Sequence, residues 1–288
     1  PKEVGNYQLG IAVKTGQQVL QDDSVIIDVH VTQNAPLNYK EVIFNSDQQQ
    51  SDSINTDIAP SSLWLSSEPR IRVGMELPMD YVQFKSLDFD YRLVADGRII
   101  ADVPAGRLVV LSFDGIYYTV KANDIEYIDI YPPRLEPTND EHAIFELINF
   151  DRYVKWKGPD NFNKYRGAFE YRQGIVDKKM YAVNDLLLED YVAGIGETSN
   201  LAPKEYIRAL LTAARTYAYK SLGKYPFFDV LGNTYDQLYL GYVSEVLMPQ
   251  VAQSARDTRG YLVTYDNQIV ITPYFANSAG NTKTWKSV

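Results

Sequence analysis

Residues 203–223 read PKEYIRALLTAARTYAYKSLG, and their reading governs that of the rest of the chain. Pro203 suits a first helical turn, where its missing N–H costs nothing, and Gly223 suits the stop. Tyr206, Leu210, Ala213, Ala214, Tyr217 and Ala218 recur at three- and four-residue spacing, which predicts a helix over 203–222 with that set as its buried face. Upstream, a short helix is predicted over 186–194 with Asp185 as its cap. Downstream, a third runs over 244–259 and ends at Gly260, followed by strands at 261–265 and 269–275 joined through Asp266-Asn267.

Residues 1–130 have the opposite character. Segments 8–14, 19–32, 71–75 and 108–113 are rich in β-branched and aromatic residues, and Asp96-Gly97 and Asp114-Gly115 supply the positive φ that tight hairpin turns demand. The polar stretch 45–62 reads as a loop or linker, and 132–140, with three prolines, as a second boundary. The fold class expected is α+β: a β-rich N-terminal region followed by a mixed core of strands and three helices. The division expected is a small β module or extension at 1–60 and one domain at 61–288.

With 288 residues the chain can bury a sizeable core unaided. A net charge of −9 makes it a poor polyanion binder, so nucleic acid is not an expected partner. There is no cysteine, which removes disulfides, thiolate metal sites and thiol nucleophiles together. No apolar run approaches the roughly 20 residues of a membrane span. The chain opens at Pro1, read here as a mature or trimmed start. His30 and His142 stand in no metal-ligand spacing, and no phosphate-binding loop or nucleophile elbow is present.

Carboxylate chemistry remains. Glu197 lies in Gly194-Ile195-Gly196-Glu197-Thr198-Ser199-Asn200 between two predicted helices. A carboxylate held partly desolvated there makes a usable proton donor, whereas a solvated loop Glu does nothing. Arg215 falls mid-helix among residues that read as core. It either positions a ligand or pairs with Glu189, Asp190 or Asp236, because an uncompensated buried charge is costly.

The run Leu188-Glu189-Asp190-Tyr191-Val192-Ala193-Gly194, then Glu197, then Ala213-Ala214-Arg215-Thr216-Tyr217-Ala218, resembles the stage II sporulation protein D family. Tyr165-Arg166-Gly167, Val183-Asn184, Thr258-Arg259-Gly260 and the stretch from Pro273 to Thr282 resemble its other motifs, and Ile71-Arg72-Val73-Gly74 its opening strand. The resemblance covers residues 70–288 and is strongest from 165 onward. It implies a peptidoglycan lytic transglycosylase in which Glu197 is the general acid and base, with Arg215, Gln237, Tyr239, Tyr274 and Ser278 binding the glycan strand. The alternative it implies is a non-catalytic wall-binding activator of a separate amidase. Either reading places the protein outside the cytoplasm, at the cell wall or surface.

The chain departs from the family pattern in three places. The loop before Glu197 is two residues shorter. Leu231, Tyr235 and Asp236 stand where some members carry Cys and His zinc ligands, so neither metal nor other cofactor is expected. The chain also stops at 285–288, where members usually continue.

Overall fold

The computed structural model describes residues 68–265 and 268–275, together with the backbone of four N-terminal strands. Those four are β1 (Gly5–Ile11), β2 (Lys14–Thr15), β3 (Gln18–Val19) and β4 (Val25–Val31). β1 pairs antiparallel with β4, and β2 with β3. The expected linker at 45–62 and the division near residue 60 lie outside the described residues.

From residue 70 the chain alternates between two sheets. β5 (Arg70–Leu77), β7 (Tyr91–Ala95), β8 (Arg98–Val103), β12 (Arg134–Pro137), β15 (Ala168–Gln173), β16 (Met180–Leu187) and β17 (Val230–Leu231) build a seven-stranded sheet of order β17-β5-β16-β15-β12-β7-β8. β6 (Tyr81–Lys85), β9 (Leu108–Phe113), β10 (Tyr118–Ala122), β11 (Ile125–Asp129), β13 (Ile144–Leu147) and β14 (Lys164–Arg166) build a six-stranded one of order β11-β10-β9-β6-β13-β14. Every ladder in these two sheets is antiparallel except β17 on β5.

The pleat explains how the sheets meet. Strands such as β7, with buried and half-buried residues in strict alternation, turn one set of apolar side chains inward. Phe84 of one sheet lies 5.0 Å edge-on from Tyr91 and 5.9 Å stacked from Phe169 of the other, and Phe145 lies 5.8 Å from Phe169. These rings are essentially inaccessible and join the two sheets in one core. The turn signals hold: Asp96 and Gly97 take φ of 49° and 69° between β7 and β8, and Gly115 takes 102° after β9.

The outer face of the larger sheet carries charge. Arg72 of β5 pairs with Glu170 of β15 at 2.7 Å. Asp185 of β16 receives Arg70 at 2.7 Å and Arg134 of β12 at 2.8 Å. Residues 132–140 are therefore not a boundary. Arg134–Pro137 is an interior strand between β7 and β15, and its prolines fall at the ends of the ladder or beyond.

Among the described residues four helices follow: α1 (Leu188–Ala193), α2 (Lys204–Lys220), α3 (Gly241–Leu247) and α4 (Pro249–Asp257). With the sheets they make an α+β fold. α2 matches the predicted span, but its buried face is Ile207, Leu211, Ala214, Arg215, Thr216 and Ala218, while Tyr206 is 53% exposed. The third predicted helix is two, because Pro249 starts a new one. Asp185 does not cap α1. It is the third-last residue of β16, held by its arginines, and the first-turn N–H of Glu189 goes instead to Glu68 at 2.7 Å. After α4, the strands β18 (Thr264–Tyr265) and β19 (Gln268–Ile269) are shorter than expected, and Asp266-Asn267 lies outside the described residues.

Candidate active site

Glu197 is placed by a short ladder between the segment after α1 and the segment before α3. Gly196 N–H donates to the Leu238 carbonyl at 2.7 Å, Leu240 N–H donates to the Gly194 carbonyl at 2.8 Å, and Ile195 faces Tyr239 in a β-bridge. The same edge then holds the side chain, for Leu238 N–H donates to Glu197 Oε1 at 2.6 Å. This explains the two glycines. A Cβ on Gly194 would come within 2.7 Å of the Tyr239 ring and 3.1 Å of the Gly241 backbone, and one on Gly196 within 2.5 Å of Leu240.

Glu197 is half-buried, and three polar groups feel its charge. Tyr274 and Tyr191 lie within reach of its field, and burial, reinforced by the charge of Glu197, raises both phenols above their ordinary range. Lys157 is the third. Burial holds its ammonium below the usual lysine value, against the opposing pull of Glu197.

Gln237 links this group into a chain. It is fully buried, accepts the Tyr191 hydroxyl at 2.8 Å, and donates to the Tyr274 hydroxyl at 2.8 Å and the Ala214 carbonyl at 3.1 Å. Tyr239 stacks on Tyr191 at 5.0 Å and donates to Asn184 Oδ1 at 2.9 Å. Tyr274 arrives because the chain is pinned to α2 at Val263 and again at Thr272. Val263 N–H donates to Thr216 Oγ1 at 2.9 Å, and Thr272 Oγ1 donates to the Ala213 carbonyl at 2.6 Å.

The site residues expected from sequence therefore divide. Glu197 and Tyr274 are half-buried and come together. Gln237 and Tyr239 lie beneath them and shape the floor rather than its surface. Ser278 lies outside the described residues.

Arg215 requires correction as a direct ligand contact, since its side chain is 0% exposed. Its fork is bidentate on Glu189, with Nε to Oε1 at 2.9 Å and Nη2 to Oε2 at 2.8 Å, and Nη2 also donates to the Ala255 carbonyl at 3.1 Å. Glu189 further accepts Gly260 N–H at 2.9 Å. Arg215 thus ties α1, α2, α4 and the chain after α4 together.

Of the three residues that stand where some members of the resembled family carry zinc ligands, Leu231 is in β17 and Tyr235 is exposed. Asp236 accepts the hydroxyls of Tyr217 at 2.8 Å and Tyr225 at 3.0 Å, the Leu231 N–H at 2.8 Å, and the Lys224 ammonium. Burial pushes its carboxyl up, but these donors pull it below the ordinary carboxylate value. Among the described residues no three His, Cys, Asp or Glu gather as metal ligands, and no helix is long and apolar enough to cross a membrane.

Two contributors escaped the sequence reading. Lys157 sits forty residues upstream of Glu197, with no motif to mark it. Glu68 is buried under α1, where it holds Arg259 and the Glu189 N–H. Burial raises the Glu68 carboxyl from its ordinary 4.5 to about 7, against the pull of that N–H and of Arg259. A carboxyl that grips its proton more tightly when folded contributes stability below its unfolded value and loses it as pH rises through the folded one. Urea titrations from pH 4.5 to 7.5 are expected to show Glu68→Gln losing on the order of 3 kcal/mol less stability than wild type. Parallel pH profiles for the two proteins would show that Glu68 does not titrate in this range.

Residues 176–265 match the family model described as SpoIID: Stage II sporulation protein. The matched interval is less than half of the chain. It begins in the turn before β16, ends with β18, and includes Glu197, Arg215, Gln237 and Tyr239. No curated protein and no solved structure matches the chain.

Proposed function

We propose that the protein is a peptidoglycan lytic transglycosylase acting at the cell wall, outside the cytoplasm, with Glu197 as its only acid and base. The observation that carries the reading is the placement of Glu197. Its carboxyl is half-buried, oriented through one oxygen by Leu238 N–H, and set beside Lys157 and Tyr274 within the interval that matches the stage II sporulation protein family.

One carboxyl suffices for this chemistry, in contrast to the paired carboxylates of most glycosidases. Glu197 gives its proton to the oxygen between N-acetylmuramic acid and the following N-acetylglucosamine as the bond from C1 to that oxygen breaks. The 6-hydroxyl of the same muramic residue attacks C1, and the Glu197 carboxylate takes its proton. The products are a 1,6-anhydro end and a free 4-hydroxyl, with no water consumed. Orientation through Oε1 leaves Oε2 to exchange the proton at both stages. Tyr274, fixed by Gln237, offers its ring and hydroxyl to the sugar.

Digestion of purified glycan strands, with and without stem peptides, tests the reading by mass spectrometry. Anhydromuramyl ends are expected. Reducing ends would assign a hydrolase with a second carboxylate. Binding without cleavage would overturn the enzyme reading in favour of a wall-binding activator of an amidase.

A further inference from the structure

Residues 150–163 fold over the ladder that carries Glu197. Val154 and Phe162 are buried with Leu238 and Leu240 in one small apolar cluster, and Leu238 is the residue whose N–H holds Glu197. Val154 therefore anchors the single turn Lys155–Lys157 to the scaffold of the site itself. The turn closes through Lys157 N–H to the Val154 carbonyl at 2.7 Å, and Gly158 leaves it at φ +106°, a conformation that favours glycine.

Lys157 is directed inward from that turn. Its ammonium donates to the carbonyl of Thr198, the residue after Glu197, and lies 3.8 Å from Met248 Sδ. Among the described residues no carboxylate comes within ion-pair distance of it, unlike Lys164, Lys179, Lys204 and Lys224. Its ammonium is therefore placed on backbone beside Glu197 rather than spent on a surface partner.

We propose that Lys157 is a positioning residue for Glu197, fixing the backbone of the Glu197–Thr198 peptide and stabilising the carboxylate that forms when Glu197 gives up its proton. The inference rests on the functional reading above for its consequence, and on geometry for its existence. A cation fixed before the reaction costs no reorganisation as negative charge develops on the carboxyl, which is how such groups lower a barrier. Glu197 is faced by Tyr191 from α1, by Tyr274 from the segment after β19 and by Lys157 from the turn. Only Lys157 of these carries charge near neutral pH, so it sets the field there.

The test reads Glu197 directly, by carbon-detected NMR titration of its side-chain carboxyl, assigned by its loss in Glu197→Gln. Removing the cation in Lys157→Met is expected to raise the titration midpoint of Glu197 by on the order of one pH unit. Lys157→Arg, which keeps the charge, is expected to restore it. In glycan cleavage, Lys157→Met is expected to lower kcat about tenfold with KM little changed and to shift the alkaline limb of the pH profile upward, because Glu197 must start the reaction protonated. An unchanged Glu197 midpoint in folded Lys157→Met overturns the proposal. Should that variant not fold, Lys157→Gln gives the same reading. The titration needs no turnover, so a wild type that fails to cleave glycan overturns the functional reading while the midpoint still decides the role of Lys157.

Discussion

Glu197→Gln is expected to lower the rate of glycan cleavage by about 10²- to 10⁴-fold while leaving the unfolding midpoint within about a degree of wild type. The rate falls because the amide has no proton of suitable acidity to give and no basic oxygen to take one back. The fold survives because glutamine keeps a carbonyl oxygen where Glu197 Oε1 accepts Leu238 N–H, so the ladder from Gly194 to Leu240 stays closed. Glu197→Asp makes a useful companion. It retains an acid but is one methylene shorter, so it cannot reach Leu238 N–H and the reacting oxygen together, and an intermediate loss is expected. Cleavage by Glu197→Gln at the wild-type rate would transfer the chemistry to another group.

Arg215→Met is expected to destabilise the protein by about 3–5 kcal/mol, the usual consequence of breaking a buried ion pair by removing one partner. The variant removes the guanidinium that both Glu189 oxygens face, and with it one of the donors to the Ala255 carbonyl. Lysine does not replace the fork, because a point ammonium cannot address both carboxylate oxygens in plane. The double variant Arg215→Met with Glu189→Met should recover part of the loss, as coupled partners do in a double-mutant cycle. Urea unfolding at neutral pH measures both. If Arg215 contacted glycan instead, Arg215→Met would raise KM and change stability by less than about 1 kcal/mol, the reverse of what 0% exposure and a bidentate buried partner require.

The two predictions separate the chemistry of the site from its framework, and the sequence spoke differently to each. The helix at 204–220 was legible because Pro203, Gly223 and the apolar spacing act locally. Which stripe of that helix is buried was less so, because Ile207 and Leu211 face the core on account of where α1 and α4 lie, while Tyr206 turns to solvent. The break at Pro249 was in plain view, yet the apolar run across it reads as one helix until the chain bends there.

The sequence by itself determined the α+β class, the hairpin turns at Asp96-Gly97 and Asp114-Gly115, and the ordered motifs that single out Glu197, since each depends on residues close together in the chain. Only the tertiary structure decided that Arg215 braces Glu189, that Gln237 and Tyr239 lie under the site while Tyr274 stands beside Glu197, and that Lys157 and Glu68 belong to this region. These pairings join residues separated by 26 to 121 positions. Hydrogen bonds and charge act over a few ångströms of space, and in this region those ångströms are fixed by the ladder and by the packing of α1 to α4 on the two large sheets rather than by sequence spacing.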